Sequence, residues 1–197
     1  MKKTFVIALY SLLLSAPAMA APEKYNIEET HTQASFTVSH LGFSYPMGIF
    51  RKTTGSFVFD AENPEASSVE ATVDVSSIDM GTEAWDKHMK SADFFNIEKF
   101  PSMTFKSTKI TKMSNMTGLI EGDLTILGIT KPVTLNVTYV GSGTHPYSKS
   151  HIAGFTAITD IKRSDFGMNY SLPAVGDDIA ITLNVEGIRD PEIKTQP

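Results

Sequence analysis

SVEATVDV, residues 68–75, alternates from end to end: Val69, Ala71, Val73 and Val75 fall on one side, and Ser68, Glu70, Thr72 and Asp74 on the other. A period of two with one apolar and one wet side is a half-buried antiparallel strand. The same period recurs on both sides of this stretch. Upstream, Phe36, Val38 and His40 share one face against Ser35, Thr37 and Ser39, and a strand near 47–59 carries Phe57 and Phe59 in phase, with a bulge or sharp bend expected at Gly55. Downstream, Val133, Leu135, Val137 and Tyr139 repeat the pattern, as do Ile179, Ile181, Leu183 and Val185. With segments near 102–113, 116–127 and 150–162, the expected total is eight strands.

Eight amphipathic strands in one unit must hide their edges, and antiparallel closure into a barrel does so; two packed sheets are the alternative. A barrel of this strand number is either filled by side chains or holds one small ligand. Only 82–98 breaks the pattern. There Thr82 is placed to cap a helix, Glu83 falls in its first turn, and Trp85, Met89 and Ala92 recur at near-helical spacing. One or two short helices are expected here, across one mouth of the barrel. The stretch 90–105 also concentrates Phe94, Phe95, Phe100 and Phe105, which would cap the barrel and line its entrance or simply seal the core.

The N-terminus reads as a cleaved secretory leader: Lys2 and Lys3, an apolar run from Phe5 to Leu14, then Ala18-Met19-Ala20. Cleavage after Ala20 leaves 21–197 as one domain. Losing the two lysines leaves 15 basic against 22 acidic residues and takes the formal charge from −5 to −7, which argues against a nucleic-acid partner. There is no cysteine, so stability rests on burial and hydrogen bonding, and no later apolar run reaches bilayer length. The expected location is the periplasm.

Catalytic signatures are lacking. The five histidines do not form a close-spaced metal motif, and no GxSxG elbow accompanies the serines. Asp165-Phe166-Gly167 spells a kinase magnesium motif without its partners and reads as a turn. His40 points an ionisable ring toward the interior, either as a core histidine bonded to a neighbouring strand or as a donor to a ligand's polar end.

Several long segments, in order, resemble the YceI-like periplasmic proteins: His31; FTVSHLGFS at 36–44 with Gly48 and Phe50; DKHMKSADFFNIEKFPSMTFKST at 86–108; GDLTILGITKPV at 122–133; and RSDFGM at 163–168. The resemblance implies an all-β, eight-stranded antiparallel, lipocalin-like barrel that binds a long isoprenoid or other amphiphilic lipid for periplasmic storage or transport, with no catalytic residues and no cofactor. On that implication Phe36, Val38, His40, Phe50, Phe57, Phe94, Phe95 and Phe105 are ligand-lining candidates. Arg163 would pair with an anionic head or close a structural ion pair. Contact with a membrane surface and a homodimer are the other partner expectations. An enzyme acting on such a lipid and a non-binding structural or stress-response protein are the alternatives.

Overall fold

A computed structural model describes residues 22–191, so the expected leader, 1–20, lies outside the described residues. Eleven strands and one helix follow in order: β1 (Glu23–Ile27), β2 (Gln33–His40), β3 (Met47–Phe50), β4 (Thr53–Phe59), β5 (Ser68–Asp74), β6 (Ile78–Asp79), α1 (Glu83–Lys90), β7 (Ser102–Lys112), β8 (Thr117–Ile126), β9 (Ile129–Thr144), β10 (His151–Lys162) and β11 (Val175–Arg189). All pair antiparallel in one sheet, and β1 bonds both β4 and β11, so the sheet closes on itself. Closure removes the free edges that an open sheet exposes.

The eleven strands make eight staves because the first three staves are broken. β1 and β2 lie end to end along β11, with Tyr25 opposite Arg189 and Thr37 opposite Ala180; β3 and β4 follow them, then β5 and β6. Each break is sealed by side chains. At the first, the buried Thr32 hydroxyl donates to the Glu186 carbonyl (3.3 Å) and accepts from the Glu186 N–H (3.2 Å), standing in for lost ladder bonds. At the second, the Lys52 N–H donates to Ser77 Oγ (3.1 Å). At the third, Asp74 accepts from the Ser76 N–H (2.9 Å) and opens a 3-10 turn at Val75–Ser77.

Several sequence expectations are refined. β1 goes unread in the sequence because only Tyr25 and Ile27 carry its pattern, and β6 is too short to show a period. β9 runs through Pro132, which lacks an amide donor; β10 pairs with β9 only from Asn136 onward, so Pro132 sits where one side of the strand is free. Gly55 is not a bulge, since the β4–β5 register runs unbroken from Thr53 to Val58. Its φ of +135° and the Glu70 carbonyl, which a Cβ would strike, are what require glycine.

The insertion forms one helix, α1, followed by turns. Thr82 Oγ1 accepts from the Trp85 N–H (3.4 Å), Glu83 and Asp86 sit in the first turn, and Asp86 Oδ1 accepts from the Met80 N–H (2.7 Å), tying α1 to the end of β6. Asp165 and Phe166 end a 3-10 turn closed by Gly167 in the left-handed region, as the turn reading expects.

Candidate functional site

The inward positions of the long staves carry aliphatic side chains of small to middling size, among them Val69, Ala71, Val73, Leu135, Ala157 and Leu183. Eight staves lined this way cannot be filled across their width, and a cavity of about 360 Å³ remains. Its lining reaches Ala61, Pro64, Ser114 and Met116, in the β4–β5 and β7–β8 connections at the end of the barrel away from α1. At the α1 end, Phe36, Ile126, Ile161 and Ile179 form its floor and also line a second cavity of about 100 Å³. The two spaces therefore stand in line along the barrel.

Lumen chemistry is one-sided. Among the described residues, Lys112 at the mouth is the only Asp, Glu, Lys, Arg or His in the lining of the wide cavity. An ion entering it would lose its water without a counter-charge, whereas an apolar chain loses nothing. The Tyr139 hydroxyl, near the mouth, donates to Ser142 Oγ (2.7 Å). Thr53, also in the lining, has a buried hydroxyl with no partner.

The candidates from the sequence divide between the two spaces. Phe36, Phe50, Phe57 and Phe105 line the wide cavity, while Phe36, Val38, His40, Phe94 and Arg163 line the smaller one. Phe95 lines neither and packs edge-on against Phe50, with ring centroids 5.4 Å apart. The segment 82–98 contributes nothing to the lining of the wide cavity; it closes the other end. The aliphatic wall of β5, β9 and β11 is visible in the sequence as alternation, which by itself marks a strand and not a cavity wall.

Arg163 is 4 % exposed, and its guanidinium donates to four backbone carbonyls: Gly176 (2.8 Å), Met168 (2.9 Å), Tyr170 (2.9 Å) and Val175 (2.8 Å). Burial lowers its pKa, and the Asp177 carboxylate opposes that effect. Asp177 in turn accepts from the Ser164 N–H (2.9 Å) and hydroxyl (2.8 Å). On the outer face, Glu28, His31 and Glu186 bring a ring nitrogen and two carboxylates within 4.8 Å. Glu28 already accepts from the N–H groups of Thr30 (3.0 Å) and His31 (2.8 Å), so it locks the β1–β2 turn.

Residues 25–187 match the YceI-like domain. A UPF0312 protein of Shewanella baltica (strain OS185) is 40% identical over 191 residues, which cover 96% of this chain and 100% of that one. A solved Campylobacter jejuni YCEI protein is 26% identical with a TM-score of 0.70, covering 93% of this chain and 99% of that one. A Saccharophagus degradans domain, described as polyisoprenoid binding and implicated in plant cell wall breakdown, is 13% identical with a TM-score of 0.61, covering 84% of this chain and 98% of that one; that likeness is of fold alone. With its closed lipocalin-like barrel and these matches, the chain belongs to the YceI-like family.

Proposed function

We propose that this protein carries one long isoprenoid-type lipid inside its barrel, for storage or transport in the periplasm after removal of residues 1–20. The observation that supports the reading is the wide cavity of about 360 Å³, apolar along its length and open at one end. That size is in the usual range of ligand pockets, roughly 300–1,000 Å³. Phe36, Phe50, Phe57 and Phe105 hold the chain together with the aliphatic wall. Val38, His40 and Phe94 extend the contact into the smaller space, and Phe95 backs the wall of the wide cavity through Phe50. Arg163 acts by positioning: its four carbonyl partners join the start of β11 to the 163–170 turn, one wall of the smaller cavity.

Each isoprene unit taken out of water contributes roughly 4 kcal/mol gross, at about 0.8 per carbon, so several units outweigh one hydrogen bond to a head group, about 1 kcal/mol net. A bilayer shelters the same chain, so exchange between membrane and barrel is close to balanced, as a carrier requires. Organic extraction of the purified protein followed by mass spectrometry tests the reading, together with uptake of a fluorescent prenyl alcohol by delipidated protein. Recovered prenyl lipid and saturable uptake are expected. An extract without lipid and a probe that stays in solution would overturn it.

A further inference from the structure

The connection from β2 to β3 leaves the barrel at the α1 end as a built hairpin tip. The Phe43 N–H donates to the His40 carbonyl (3.0 Å) and the His40 N–H to the Ser44 carbonyl (2.9 Å). Leu41 and Gly42, the two central residues, have φ of +55° and +75°. Such a turn favours Asn or Asp followed by Gly, and a leucine at its first central position is strained. The side chains presented there are nonetheless large and apolar: Leu41 is 52 % exposed, Phe43 89 %, Tyr45 74 % and Met47 56 %. Folding gains nothing from water-facing side chains held on a strained turn, so the cost points to a role outside the fold.

Three further observations say what covers the tip. No Asp, Glu, Lys or Arg lies between His31 and Arg51, in a chain of net charge −5. At the opposite end, the mouth of the wide cavity exposes Glu62 and Glu65 of the β4–β5 connection against a single lining cation among the described residues, Lys112, and so carries net negative charge. A bilayer carrying anionic lipid therefore repels the open end and not the tip. Finally, Trp85 on α1 is 40 % exposed and shares the lining of the smaller cavity with His40 and Pro46, which flank the tip. Phenylalanine and tyrosine on one uncharged loop, beside the tryptophan of α1, a helix that also exposes Glu83 and Lys87, suit the interfacial zone of a lipid bilayer, where apolar rings and charged groups meet and no matching shape is required. Mating with a second copy would demand a complementary hollow.

We propose that the Leu41–Met47 tip, together with Trp85, is a membrane-docking surface that seats the α1 end of the barrel on a lipid bilayer. This deepens the carrier reading and rests on it for its purpose, but docking is measured separately from cargo. Trp85 is the chain's single tryptophan, so its emission reports the docked state without a label. Full-length mature protein is mixed with phosphatidylcholine vesicles, and with vesicles in which a quarter of the lipid is phosphatidylglycerol.

Flotation with both compositions, a blue shift of Trp85 emission, quenching by brominated acyl chains and little sensitivity to salt are expected. The double variant Phe43→Ser/Tyr45→Ser should lower vesicle partitioning roughly tenfold or more, while retaining its melting temperature and prenyl-probe uptake. Val140→Ser/Tyr147→Ser, exposed at the far end and outside the lining of either cavity, should float like wild type. Wild type that does not float, flotation abolished by salt, a tip variant that partitions like wild type, or one that changes oligomeric state instead would each overturn docking. Loss of probe uptake in wild type with flotation intact would count against the carrier reading alone.

Discussion

Arg163 separates a residue's motif from its role. In sequence it is a lone cation ahead of Asp165-Phe166-Gly167 that could equally meet a lipid head; folded, it ties four carbonyls of two segments. Arg163→Ala should cost about 3 kcal/mol or more in chemical denaturation, because buried carbonyls lose a charged donor with no water to replace it. Ala71 tests the lumen itself. Ala71→Phe adds bulk into empty space, so prenyl-probe affinity should fall roughly tenfold or more while the melting temperature changes little. At the β1–β2 turn, burial pushes the Glu28 carboxyl upward, but hydrogen bonds from Thr30 and His31 outweigh it and hold the pKa at about 2, against 4.5 for an unperturbed group. A depressed acid stabilises the fold above its unfolded pKa and loses that contribution as pH falls toward its folded one. The gap in melting temperature between wild type and Glu28→Gln should therefore be full at neutral pH and close between about pH 4.5 and 2.

At the scale of elements, the staves on which alternation runs longest were the most legible. β5, β9 and β11 each repeat apolar and polar positions over many residues, and a strand is the only element that buries such a pattern on one side. The breaks within the first three staves were harder to see, since two strands meeting end to end along a common partner share no local pattern. β1 is the clearest case: five residues complete the closure, with Tyr25 only 1 % exposed and stacked on Phe57 at 5.0 Å. Tyr25→Ala should lower stability by about 3–5 kcal/mol, read from the denaturation midpoint, because it removes the largest buried group at the seam. Gly55 stands out in the sequence as a point where the strand could bulge or bend; the register shows no bulge, and crowding by a neighbouring strand's carbonyl has no signature along one chain.

For the whole molecule, the ligand belongs to the energetics of the fold. A lumen left open forgoes the burial that a filled core would supply, and a cargo chain restores part of it. Saturating delipidated protein with prenyl probe at about 100 times its Kd should add about 2.7 kcal/mol, a rise in melting temperature of roughly 5–10 °C. Because Lys112 is the only charged group in the lining of the wide cavity among the described residues, that rise should hardly depend on salt.

The amino-acid sequence by itself determined the strand period, the eight staves and the helical interruption at 82–98, because each is written in which residues recur at a spacing of two and which break it. Only the tertiary structure decided that the barrel is hollow, which end opens and where Arg163 spends its hydrogen bonds. These depend on how side chains from staves far apart in the chain divide a common volume, and a local period carries no measure of the space across a barrel.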